Sequence, residues 1–248
     1  MSLQFIMGNS GSGKSYCLYD TVVREAIENP DKNYLVIVPE QFTMQTQKDL
    51  CLAHPKGGIM NIDVLSFGRL AYRVFEEVGQ DARVVLDDEG KNLVLRKIAG
   101  ECEKDLKVFK GNLKKQGYIS EVKSVLSEFA QYGVDFERLD DFMKEVPPES
   151  YLHYKLDDIR TIYEKFEEYL SEKYITKEEM LDVLSDAVPY SDILKGSVVA
   201  MDGFTGFTPV QNRLIGELFS VCEKVMITVT MDGRENPYVY EHPYQIFA

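Results

Sequence analysis

Apolar residues follow two regimes along this chain. Toward both ends they gather in short runs: Leu-Gln-Phe-Ile-Met at 3–7, Tyr-Leu-Val-Ile-Val at 34–38, Ile-Asp-Val-Leu at 62–65, Ser-Val-Val-Ala-Met at 197–201 and Lys-Val-Met-Ile-Thr-Val-Thr at 224–230. Runs of this length, rich in β-branched residues and closed by Gly, Pro, Ser or Asp, predict buried parallel strands. Between them the spacing turns helical. Cys17, Leu18, Val22, Val23 and Ile27 define one predicted helix, residues 40–52 a second, and Leu70, Ala71, Val74 and Phe75, capped by Ser66, a third. A helix over about 209–221 starts at Pro209, a favoured first-turn residue.

The second regime runs from Asp87 to about Val188, where no convincing central strand appears. Leu93, Val94, Ile98 and Ala99 recur at helical spacing, as do Ile119, Val122, Leu126 and Phe129. A long helix fits Leu152 through Leu170, and a shorter one carries Met180, Leu181 and Leu184 behind a capping box of Thr176 and Glu179. Pro147-Pro148 divides the region. Strand–helix alternation at both ends indicates a three-layer α/β architecture with a mainly parallel sheet. The expected organisation is a discontinuous α/β domain at 1–86 and 196–235, an inserted helical subdomain at 87–195, and the start of a further segment at 236–248.

Chemistry is concentrated where the first strand ends. Gly8, Asn9, Ser10, Gly11, Ser12, Gly13, Lys14 and Ser15 spell G-x-x-x-x-G-K-[ST], with a strand before and a helix after, the context a phosphate-binding loop requires. Glycines let the backbone turn its N–H groups toward phosphate oxygens, and the helix N-terminus adds positive partial charge. Lys14 can reach the β- and γ-phosphates, and the Ser15 hydroxyl can hold Mg²⁺. The motif specifies a nucleoside triphosphate, hence a P-loop NTPase, without specifying hydrolysis. Asp202, at the end of the fourth predicted strand, is the expected acidic partner for the metal. Gly203 stands where active ATPases of the helicase type carry a glutamate that handles the attacking water, so no catalytic residue is assigned. Asp232 is a weaker metal candidate. Gln41 and Gln211, just beyond strand ends, are candidate γ-phosphate sensors. Ser66, Phe67 and Arg69 lie on the expected ligand rim, and Tyr118, Tyr132 and Tyr151 are candidates for stacking on bases, with packing as the plainer role.

Composition narrows the field. A net charge of -13, from 28 basic and 41 acidic residues, argues against a broadly basic nucleic-acid-coating surface. Cys17, Cys51, Cys102 and Cys222 show no metal-binding spacing and are expected to be buried or half-buried thiols. Met1–Met7 runs into the loop as a strand rather than as a signal peptide, and no apolar run nears the roughly 20 residues of a membrane span. The expectation is a cytoplasmic protein with no membrane association.

Four pieces together carry a more specific likeness: G-N-S-G-S-G-K-S at 8–15, V-I-V-P-E-Q at 36–41, V-L-S-F-G-R-L-A-Y-R-V at 64–74 and M-D-G-F-T-G-F-T-P-V-Q at 201–211. In order and spacing the chain resembles the AddB family, second subunits of bacterial AddAB helicase–nucleases, called RexB in some lineages. The resemblance implies a superfamily 1 helicase-like fold, in which a RecA-like domain (1A) carries an inserted helical subdomain (1B). It also implies ATP and Mg²⁺ as ligands, an AddA-like partner subunit, and DNA bound within the complex. On the family pattern Asp202 is the Mg²⁺ aspartate, Gly203 replaces the catalytic glutamate, Gln211 matches a downstream glutamine, and Met231-Asp232 replaces Gly-Asp; both replacements argue against a motor. The resemblance further implies a second helicase-like half and a nuclease domain with a 4Fe–4S cluster, outside these residues. A small-molecule P-loop kinase and a non-enzymatic scaffold with a vestigial nucleotide site are the alternatives.

Overall fold

The computed structural model describes residues 2–79, 83–112, 115–171 and 173–231. The chain divides into two compact units, Met1–Gln80 with Leu181–Ala248, and Asp81–Met180.

The first unit holds strands β1 (Ser2–Gly8), β2 (Tyr34–Ile37) and β3 (Ile62–Leu65) with helices α1 (Lys14–Glu28), α2 (Thr43–Ala53) and α3 (Phe67–Val78). The second holds β4 (Val84–Leu86), α4 (Asp88–Cys102), α5 (Gln116–Tyr132), α6 (Phe136–Glu145), α7 (Tyr151–Leu170) and β5 (Tyr174–Thr176). Helix α8 (Lys177–Ala187) begins in the second unit and ends in the first, which then adds β6 (Val198–Met201), α9 (Pro209–Val221) and β7 (Lys224–Thr230).

All five strands of the first unit pair in parallel in the order β1-β7-β6-β2-β3. Every residue of β2 and β6 is buried, which requires cover on both faces of the sheet. One face packs Leu18, Val22, Val23 and Ala26 of α1 and Leu50 of α2 onto Tyr34, Val36, Val198, Ala200 and Met226. Leu35, Ile37, Val199, Met201, Val225 and Ile227 alternate to the opposite face and are buried too. The apolar stripes of α3 and α9 contribute nothing to the first cluster, and these helices contact β3 and β7. Because the strands are parallel, Gly8, Ile37, Leu65, Met201 and Thr230 all end at one edge, where ligands of open α/β sheets bind.

The second unit is built around α4, α5 and α7, with Leu95, Ile98, Ile119, Val122, Ile159, Ile162 and Phe166 in one core. Asp158 is buried there, and its carboxylate accepts the backbone N–H groups of Lys107, Val108 and Phe109 at 2.7–2.8 Å. Three elements escaped the periodicity argument. Helix α6 buries only Leu139 and so carries a faint apolar signal. The strands β4 and β5 form a separate parallel pair of three residues each, too short for a pattern. A strand therefore does fall between 87 and 188, though not as part of the main sheet. The Thr176–Glu179 capping box is present, with Thr176 N–H to Glu179 Oε2 at 2.8 Å and Glu179 N–H to Thr176 Oγ1 at 3.2 Å. Cys102 and Cys222 are buried, but Cys17 is exposed, contrary to expectation, because it lies on the outer side of α1 next to the buried Leu18. Among the described residues no helix is long and apolar enough to cross a membrane.

Candidate functional site

The 8–15 loop leaves the end of β1 and turns directly into α1. Ser12 N–H donates to the Asn9 carbonyl at 3.1 Å and closes the turn. Gly11 and Gly13 have φ of 76° and 85°, where a side chain would be strained. At Gly8 the constraint is space instead, since a Cβ there would lie 2.5 Å from Ser12 Oγ. Gly13 is the N-cap of α1 and supplies no side-chain acceptor, and the first turn contains no acidic residue. The first N–H groups of the helix are thus left for an anion. Lys14 Nζ donates to the Asn9 carbonyl at 2.8 Å and so spans the loop, while the Ser15 hydroxyl is exposed at the helix start.

Asp202 follows β6, with β7 between that strand and β1, and it is only 6% exposed. Its Oδ2 accepts the Tyr19 hydroxyl at 2.7 Å, and its Oδ1 accepts the Thr228 hydroxyl at 2.6 Å. Tyr19 lies four residues after Ser15 on α1, about one turn along, so its side chain ties the carboxylate to the helix that carries the predicted metal-binding hydroxyl. Among the described residues no basic side chain pairs with Asp202. A nearly buried carboxylate held by neutral hydroxyls alone lacks a compensating cation. With two lone pairs still open, the carboxylate is an oxygen donor of the kind a hard divalent ion such as Mg²⁺ takes. Tyr19 also meets Thr46 Oγ1 of α2 at 3.2 Å, and burial raises its hydroxyl pKa well above the ordinary tyrosine value, so it remains a proton donor. A cavity of about 580 Å³ opens beside Ser15, lined by Tyr16, Tyr19, Asp20 and Asp49 among others.

The turn after Asp202 holds its glycine in the left-handed region. Gly203 has φ 78°, and a Cβ would sit 3.4 Å from Phe42 and 3.5 Å from Pro39. Phe204 packs on Phe67 and Phe207, with ring centroids 5.3 and 5.0 Å apart. Glu40 accepts the Ser66 hydroxyl and lies 3.4 Å from Arg69 Nε. The segments at 36–41, 64–74 and 201–211 are thereby brought together at the strand ends.

The other candidates have definite places. Gln41 is exposed in a short 3-10 turn, Glu40–Phe42. Gln211 serves α9 as part of a capping box, with its Oε1 accepting Thr208 N–H at 3.0 Å. Tyr118 packs against Phe109, whereas Tyr132 and Tyr151 are exposed. Asp232 lies outside the described residues, as does the 236–248 segment. Tyr19 and Thr228 escaped the sequence argument. Thr228 left a faint trace as a hydroxyl inside the apolar run of β7; Tyr19 left none.

A model of the family described as "ADDB, N-terminal" matches residues 5–248. Among curated proteins, the B-type subunit of the "ATP-dependent helicase/deoxyribonuclease" of Lachnoclostridium phytofermentans is 48% identical over 94% of this chain and 20% of its own length. The proteins of the same name from Clostridium tetani and Alkaliphilus metalliredigens are 37% and 35% identical, again over 94% of this chain and 20% of theirs. The chain thus spans about a fifth of the length of these relatives. With the four resembling segments placed on one parallel α/β scaffold and the match running along nearly the whole chain, this chain belongs to the AddB N-terminal family.

Proposed function

We propose that this chain is the ATP-binding N-terminal part of the AddB-type subunit of an ATP-dependent helicase–exonuclease that processes double-strand DNA ends for recombinational repair. In this reading the first unit is a P-loop NTPase domain of the RecA-like, superfamily 1 helicase kind (1A). Residues 87–195 are its inserted 1B-like subdomain. The partner is an AddA-like protein, and DNA is engaged in the complex. The observation that supports it most is the pairing of a helix N-terminus without a side-chain cap after the glycine loop with a buried carboxylate after β6 that has no basic partner among the described residues.

Bound Mg²⁺ would neutralise phosphate charge. The chain's own residues do the rest: Gly8–Ser15 offer backbone donors, Lys14 leaves Asn9 for the phosphates, and Ser15 and Asp202 hold the metal. Gly203 has no group to align or deprotonate water, a contribution typically worth about 10²–10⁴-fold in rate. ATP therefore serves as a structural or regulatory ligand with little turnover.

Calorimetry with a non-hydrolysable ATP analogue and Mg²⁺ is expected to show binding that Lys14→Ala abolishes. Absence of binding to the wild-type chain would overturn the nucleotide reading. Phosphate release near one per second that is lost in Lys14→Ala would overturn the claim of poor hydrolysis.

A further inference from the structure

The carboxylate proposed to hold Mg²⁺ is itself held by groups outside every recognised motif. Tyr19 of α1 donates to Oδ2 at 2.7 Å and Thr228 of β7 donates to Oδ1 at 2.6 Å, so each oxygen is fixed by one hydroxyl. The backbone N–H of Asp202 donates to the Ile37 carbonyl at 3.0 Å and fixes the main chain as well. Having given its one proton to Asp202, the Tyr19 hydroxyl can only accept at its 3.2 Å contact with Thr46. The bonds therefore run in one direction, from Thr46 on α2 through Tyr19 on α1 to Asp202 after β6.

We infer that Tyr19 is a positioning residue of the metal site: its hydroxyl keeps the Asp202 carboxylate in the rotamer that meets a divalent cation and ties that rotamer to α2. The inference rests on the nucleotide reading above. Two points support it. The carboxylate has no basic partner among the described residues, so the hydroxyls are what hold it in place until a cation arrives. A carboxylate also has about four acceptor positions, and two hydroxyls leave two open, so Tyr19 orients the group without filling it. Partners of this kind behind a metal ligand typically contribute 10–100-fold in metal affinity.

The test is made on the full native protein. Affinity for a non-hydrolysable ATP analogue is measured by calorimetry with Mg²⁺ and again with EDTA, in wild type, Tyr19→Phe and Thr46→Val. Tyr19→Phe keeps the ring that packs on the α1 core and removes only the hydroxyl. The ratio of the two affinities is expected to fall about tenfold in Tyr19→Phe, with the EDTA value unchanged, and by less in Thr46→Val. A purely structural role would lower both affinities together and leave the ratio intact. An unchanged ratio in Tyr19→Phe overturns the inference, and a raised ratio overturns it by showing that the hydroxyl competes with the metal. In either of those cases the nucleotide reading survives. Failure of the wild type to bind the analogue under both conditions overturns the nucleotide reading and this inference with it.

Discussion

In the second unit the buried ammonium of Lys91, 3% exposed, meets Glu178 Oε2 at 2.7 Å and Ser127 Oγ at 3.1 Å. In the first unit the buried carboxylate of Asp202 meets two hydroxyls and, among the described residues, no cation. Both are charges on helix-covered scaffolds, and both have good hydrogen-bond geometry. Only the first is closed in charge, and the space around it, lined by Lys91, Ser127, Tyr163, Glu167 and Glu178 among others, is a cavity of just about 10 Å³. The second is hydrogen-bonded to Tyr19, which together with Ser15 lines a cavity of about 580 Å³. Burial alone does not make a residue a functional candidate; burial with the charge left unpaired, tied to a side chain that lines open space, does.

The largest expected effect is at the closed pair. Lys91→Ala strands a mostly buried Glu178 and is expected to cost about 3–5 kcal/mol, read from denaturant midpoints. Joining it with Glu178→Leu should recover most of that loss, because a buried pair replaced as a unit is often neutral. A cost under about 1 kcal/mol for Lys91→Ala would erase the contrast.

Next comes pH. Burial, with the Glu179 charge adding to it, pushes the Glu167 carboxyl from 4.5 up to about 7. The folded state therefore binds more protons than the unfolded state between about pH 4.5 and 7. Stability is highest below that window, falls by roughly 1–3 kcal/mol as pH rises through it, and is flat above. Glu167→Gln is expected to remove this slope from a denaturation series across pH, and a slope unchanged by the substitution would refute the assignment.

The smallest stability effect belongs to the open site. Asp202→Asn keeps the shape and an acceptor and removes a charge that no cation among the described residues balances, so about 1 kcal/mol or less is expected. The same substitution should abolish the Mg²⁺-dependent gain in nucleotide affinity. A loss as large as that at Lys91 would make Asp202 a structural residue.

The strands and helices of the first unit were legible because each carries its own signal. Short apolar runs gave β2, β3, β6 and β7 within a residue or two, and Ser66 and Pro209 marked helix starts that the structure retains. The glycine loop was legible because its spacing has a mechanical cause. What stayed hidden depends on contacts between distant segments. The Tyr19–Asp202 bond joins residues 183 positions apart, and the Lys91–Glu178 bond joins residues 87 apart. Gln211 reads as a candidate phosphate sensor by position, and its local bond to Thr208, which caps α9, was not foreseen. Helix α6 and the β4–β5 pair were hidden by brevity and weak burial.

The conformation at Gly203 sets how far a change in the code is from a change in the structure. A glutamate is one or two nucleotide changes from a glycine codon, so placing one at 203 looks easy. Here the backbone has settled at φ 78° against Phe42 and Pro39. Any side chain at 203 costs about 1–2 kcal/mol in that conformation before it does anything useful. Placing a side chain there requires the turn to refold around it, with Phe42 and Pro39 giving way. A single substitution at 203 is therefore expected to lower stability before it can add a function. The turn acts as a ratchet, with a residue that lies close in the code held far away in the structure.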